Sequence, residues 1–139
     1  MQLLRIYYAY FSPGNTTEKV VSHIASSFQN YPVESINLTD YATRQEDYYF
    51  KENELLIIGV PAYGGRVPAP VVDALRHFTG SNTPVVLVAT YGNRDIDDTL
   101  IELKKNVIDK GFIPVGAASF VCQHTFLKEC AEGRPDEED

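Results

Sequence analysis

The residues best able to do chemistry lie in four short stretches, each directly after an apolar run. The first, Ser12-Pro13-Gly14-Asn15-Thr16-Thr17-Glu18, combines hydroxyls and a glycine at the start of a helical pattern. Free backbone N–H groups, hydroxyl donors and the positive end of a helix dipole favour a phosphate at such a place. The same residue types also make an ordinary helix cap, so this loop alone leaves both readings open. The second, Pro61-Ala62-Tyr63-Gly64-Gly65-Arg66-Val67-Pro68, pairs a tyrosine able to stack with two glycines that let the backbone approach a flat ligand. The third, Thr90-Tyr91-Gly92-Asn93-Arg94-Asp95, repeats the aromatic–glycine pair with polar groups behind it. The fourth holds His124 in Cys122-Gln123-His124-Thr125. Taken singly, the glycines are turn residues and the tyrosines cover loop surface. Taken together with the first loop, they read as walls for a ring. Arg66 and Arg94 stand at the periphery, where an exposed arginine is more often a solvated charge.

Those loops need elements to carry them. Three near-continuous apolar runs, 3–11, 55–60 and 85–90, suit strands buried on both faces. Two weaker segments read as edge strands: 33–38 alternates, and 112–121 carries Pro114 and Gly116. Between them lie helical patterns. Val20, Val21, Ile24, Ala25 and Phe28 follow a cap expected at Thr16-Thr17-Glu18. Val71, Leu75 and Phe78 form a second stripe, with Gly80 as its stop, and Leu100, Leu103 and Val107 form a third. Asp95, Asp97 and Asp98 before the third helix, and Lys110-Gly111 after it, match the helix dipole. His23 and His77 are expected within helices, which leaves His124 as the only histidine in a carboxyl-end loop.

Strands alternating with helices imply a parallel sheet joined by right-handed crossovers. With the second and fifth strands at the edges, the order is 2-1-3-4-5. Ligands in such sheets bind beyond the carboxyl ends of the strands, at the switch point between strands one and three.

The 139 residues suit one domain, expected over 1–126 with a short acidic tail over 127–139. No apolar run approaches the ~20 residues needed to cross a bilayer, and residues 1–5 carry no export pattern. Cys122 and Cys130 form no C-x-x-C pair, so a cysteine-held cluster is not expected and a cytoplasmic location is. A net charge of −7 opposes contact with nucleic acid or anionic lipid and favours a partner with a basic surface.

The loop set resembles the flavodoxin family, whose phosphate loop has the form S/T-x-T-G-N-T. It is most similar to the flavodoxin-like half of proteins that fuse this domain to a ferredoxin with two iron–sulfur clusters. The matching stretches are 12–20, 60–68, 91–103, 111–125 and 132–136, of which PAYGGRVP and YGNRDIDDTLIELK are long and specific. The resemblance implies an open five-stranded α/β sheet and FMN. Its phosphate would lie at Ser12, Gly14, Asn15, Thr16 and Thr17. Its ring would lie among Ala62, Tyr63, Gly64, Gly65, Tyr91, Gly92, Asn93 and Arg94, with His124 at the edge. Gly14 and Asn15 stand where the family has Thr and Gly, and Pro13 supplies no N–H. The family's last helix is expected to be truncated or missing, leaving one sheet face with a single helix; a homodimer or partner chain would then cover the side of strands four and five.

Two functions from different classes follow. One is an FMN-binding electron carrier or small flavin oxidoreductase, with a redox protein, such as a ferredoxin, as partner. The other is a flavin-free docking or regulatory module. A response-regulator receiver would need an acidic pair after strand one and a phosphoacceptor aspartate after strand three, where Ser12-Pro13 and Pro61-Ala62 stand. A hydrolase would need a nucleophile beside a base, and no such pair is evident.

Overall fold

In the computed structural model, residues 3–63, 65–91 and 97–121 are described. Five strands form one parallel sheet: β1 (Arg5–Tyr10), β2 (Val33–Asn37), β4 (Glu54–Pro61), β6 (Thr83–Tyr91) and β7 (Phe112–Val121). Their spatial order is β2-β1-β4-β6-β7, which is the expected 2-1-3-4-5. β1 is the hub, pairing Tyr10 with Asn37 on one side and with Gly59 on the other.

The side chains of the central strands are divided between two cores by the pleat. Ala9, Leu56, Ile58, Val60, Val85 and Leu87 face one side, where they meet α3 (Ala69–Leu75) through Val71 and Leu75 and α4 (Asp97–Asp109) through Leu103 and Val107. Ile6, Tyr10, Leu55, Ile57, Val88 and Phe120 face the other, against Val20, Val21 and Ala25 of α1 (Thr16–Ala25). β4 is buried along nearly its whole length, whereas only Ile36 of β2 is buried, as an edge requires. β7 is the other edge; its register slips between Val85 and Val86, where Pro114 and Gly116 are the successive partners and Val115 bulges out. Pro114 donates no ladder bond, and the bulge absorbs that loss.

Three local readings are corrected. The second helix ends at Leu75, and Phe78–Thr79 instead forms strand β5, paired in parallel with β3 (Tyr48–Tyr49). Phe78 still enters the core, packed edge-on against Tyr48 and tilted against Phe50, so its apolar spacing signalled burial and not helix. His77 accordingly lies in the turn after α3, with its Nδ1 2.8 Å from Asp47. The stretch between β2 and β4, where no helical pattern is read from the sequence, contains a short helix, α2 (Tyr41–Arg44), capped by Asp40, which accepts from the Thr43 N–H at 2.9 Å.

No described helix is long and apolar enough to cross a membrane. The acidic tail, and with it the expectation of a truncated last helix, falls in 122–139, outside the described residues. On the α1 side of the sheet Val86 and Ala118 are only partly buried.

Candidate functional site

The first loop is built around Ser12 and the start of α1. Asn15 occupies the N-cap with φ 68° and ψ 0° and makes no side-chain cap bond, so Thr16 and Thr17 are the first helical residues and not the cap. Ser12 does the capping from a distance: its Oγ accepts from the Glu18 N–H at 2.9 Å, while its carbonyl accepts from the Asn15 N–H at 3.0 Å. The Ser12 N–H donates to Thr39 Oγ1 at 2.8 Å, which ties the loop to the chain beyond β2. The N–H groups of Gly14, Thr16 and Thr17 have no acceptor among the described residues.

The two threonines differ. The Thr17 hydroxyl pairs with that of Thr90 at 2.9 Å, between α1 and β6, with either able to donate, so the Thr17 group left wholly unpaired among the described residues is its N–H. Thr16 is 8% exposed, and its Oγ1 has no partner. A buried hydroxyl without a partner costs about 1–3 kcal/mol. Beside three unpaired N–H groups at a helix start, it suits a site that an acceptor-rich group completes.

The second loop is a tight turn. Tyr63 and Arg66 exchange both backbone bonds, at 2.9 and 3.0 Å, and Gly65 between them has φ 80°, a value that L side chains resist. Tyr63 is half exposed and stands edge-on to Phe11, with ring centroids 6.3 Å apart. The turn is anchored at its start by the Ala62 N–H, which donates to the Thr90 carbonyl at 2.8 Å. At its end, Arg66 forms a fork with Glu102 of α4, Nε to Oε1 at 2.9 Å and one terminal nitrogen to Oε2 at 3.2 Å. The Val67 N–H adds a bond to Glu102 Oε1 at 3.1 Å. The Arg66 guanidinium, with help from the Val67 N–H, holds the Glu102 carboxyl below its usual range.

Ser12, Gly14, Asn15, Thr16 and Thr17 thus follow the carboxyl end of β1, Ala62, Tyr63 and Gly65 follow that of β4, and Tyr91 closes β6. Gly64, Gly92, Asn93, Arg94 and His124 lie outside the described residues. Arg66, read from sequence as peripheral, is paired. Thr39, Thr90 and Glu102 were not singled out. Asp98 and Glu102 stand four residues apart on α4, but the partner of Glu102 is set by topology and not by spacing. Near the first loop, burial, with Glu18 adding to it, pushes the Tyr10 phenol up to about 12; its OH lies 3.3 Å from Glu18.

The architecture matches that of solved flavodoxin structures. The chain has the flavodoxin fold. A flavodoxin from Megasphaera elsdenii superposes with a TM-score of 0.62 at 20% identity, over 91% of this chain and 96% of that one. A flavodoxin from Streptococcus pneumonia TIGR4 does so with a TM-score of 0.60 at 16% identity, over 94% and 95%. The flavodiiron core of Flv1 from Synechocystis sp. PCC6803 matches with a TM-score of 0.60 at 19% identity; there the chain covers 94% of itself but spans only 34% of that longer protein. No family model matches the chain, and no curated protein does.

Proposed function

We propose that this chain binds FMN and serves as an electron carrier or a small flavin oxidoreductase. The observation that carries the reading is the buried, unpartnered Thr16 hydroxyl beside the unpaired N–H groups of Gly14, Thr16 and Thr17, at the same sheet end as the Tyr63 turn. A shared fold does not transfer a function; these residues are what supports the reading.

In this reading the first loop holds the phosphate, through those N–H groups and the hydroxyls of Ser12 and Thr16. Ser12 Oγ already accepts from Glu18, which leaves its proton free to donate. Tyr63 covers one side of the ring, Tyr91 and the Gly92-Asn93-Arg94 segment the other, and the Gly64 and Gly65 backbone meets the ring's polar edge. His124 borders the site. The flavin supplies the redox chemistry; the protein binds, orients and tunes it. A net charge of −7 disfavours further negative charge at the site and so makes the bound cofactor harder to reduce. It also suits a redox partner with a basic surface. A cytoplasmic location is part of the proposal.

The test is a visible absorption spectrum after addition of excess FMN and desalting. Flavin bands retained by the natural chain and lost in Ser12→Ala/Thr16→Val support the reading. A colourless natural chain refutes it and directs attention to the docking-module alternative.

A further inference from the structure

The Tyr63–Arg66 turn has little to stiffen it from within. Its two central residues are glycines, which lose the most conformational freedom on ordering, and among the described residues its own bonds are the two between Tyr63 and Arg66. What fixes it is outside it. Glu102 takes both prongs of the Arg66 fork and the Val67 N–H, three bonds on one carboxylate. Glu102 is itself seated on α4, where its carbonyl accepts from Asn106 Nδ2 at 3.0 Å and the adjoining Leu103 is fully buried. Bidentate Arg–carboxylate pairs fix geometry as well as charge. The Glu102 side chain is 25% exposed and that of Arg66 65%, so the pair is worth little as bulk stability. Its effect is local. α4 is the next described element after β6, so the carboxylate ties the turn after β4 to the helix that follows β6.

We propose that Glu102 is a positioning residue, which by holding Arg66 and the Val67 N–H locks the Tyr63 turn to α4 and sets how tightly the flavin ring, as distinct from the phosphate, is held. The ring-binding half of this inference rests on the FMN reading above; the mechanical half does not.

The experiment compares the full chain with Glu102→Ala and Glu102→Gln. Amide hydrogen exchange at Arg66 and Val67 is read in the absence of ligand, and affinities are measured for FMN and for inorganic phosphate alone. In Glu102→Ala, exchange at these amides rises about tenfold or more while the thermal midpoint moves by no more than roughly 3 °C. FMN binding weakens by about tenfold, and phosphate binding is unchanged. Glu102→Gln keeps an acceptor for the Val67 N–H but loses the charge, so it falls between. Unchanged exchange in Glu102→Ala overturns the inference. Equal losses for FMN and phosphate also overturn it, because they would mark a general structural effect. If exchange rises but the natural chain takes up no FMN, the lock stands and the flavin reading fails, together with the ring-binding half.

Discussion

Replacing Gly59 by alanine perturbs the site from inside the sheet. Gly59 lies in β4 directly beneath the first two turns of α1, facing Thr17 and Val21. A Cβ there would come to 2.9 Å from Val21 Cγ1, 3.1 Å from Thr17 Cγ2 and 3.3 Å from Val21 Cγ2. The optimal separation of carbon atoms is about 3.5–4.0 Å, so the closest contact falls short by roughly 0.6 Å. Neither neighbour is the tip of a flexible surface side chain: Val21 is fully buried and Thr17 is 3% exposed. The start of α1 must therefore lift, and overpacking of this kind costs about 1–3 kcal/mol. Lifting also stretches the 2.9 Å bond between Thr17 and Thr90, with a further loss of about 1 kcal/mol. The sum, about 2–4 kcal/mol, lowers the thermal midpoint by roughly 6–15 °C for a chain of this size. Phosphate and FMN binding fall with it, because the displaced turn carries the unpaired N–H groups. Urea unfolding and a binding titration check both effects. A Gly59→Ala protein with unchanged stability and unchanged binding would refute the claim that close approach of α1 to β4 sets the first loop.

Thr16→Val removes the unpartnered hydroxyl while keeping its shape, so the ligand-free protein should be unchanged or up to about 1 kcal/mol more stable, whereas FMN affinity falls about tenfold. Thermal unfolding with and without FMN reads both, and the opposite signs separate this from a folding defect. Burial raises the Tyr10 phenol from about 10 to about 12 in the folded chain, so its contribution to stability is complete below pH 10 and is lost as pH rises towards 12. Unfolding midpoints followed through that window should fall less steeply in Tyr10→Phe, and parallel slopes would count against the assignment. The low Glu102 carboxyl has the opposite sense: its contribution is present above about pH 4.5 and disappears as acid protonates it, which Glu102→Gln should flatten.

How far the sequence foretold this structure differs from feature to feature, for physical reasons. The strand order was legible because burial on both faces leaves continuous apolar runs, as in residues 55–60, whereas edge strands show alternation or carry Pro114. The extent of the second helix was not, because Val71, Leu75 and Phe78 have helical spacing although Phe78 reaches the core from a strand. The carboxyl-end loops were located by rule from the strand order. Which groups in them remain available to a ligand was beyond any spacing argument. Thr17 spends its hydroxyl on Thr90, a residue 73 positions away, and Thr16 next to it does not. Gly59 was equally opaque: within its run it reads only as a weak strand residue, and its reason is the helix lying on it.

Thr90 shows how the halves of the candidate site are registered. Its hydroxyl bonds Thr17 at the start of α1, and its carbonyl accepts from Ala62 at the start of the Tyr63 turn. One residue, 4% exposed, thus ties the first and second loops to the same point of β6. Thr90→Val would leave the backbone link intact and strand the Thr17 hydroxyl in the interior, at a cost of about 1–3 kcal/mol. Thr17→Val alone would strand the Thr90 hydroxyl in the same way. The double replacement removes both polar groups while keeping their shapes, so it should regain most of the loss and give a coupling energy of about 1–2 kcal/mol in a double-mutant cycle. Additive losses would mean that the two hydroxyls are not partners and that the first loop takes its position from Ser12 and Thr39 alone. Coupling with unaltered phosphate binding would place the Thr17–Thr90 bond in stability and not in the site. Coupling accompanied by weaker phosphate binding in both single variants and also in the double, which regains stability but not the bond, is the result that a loop registered through Thr90 requires.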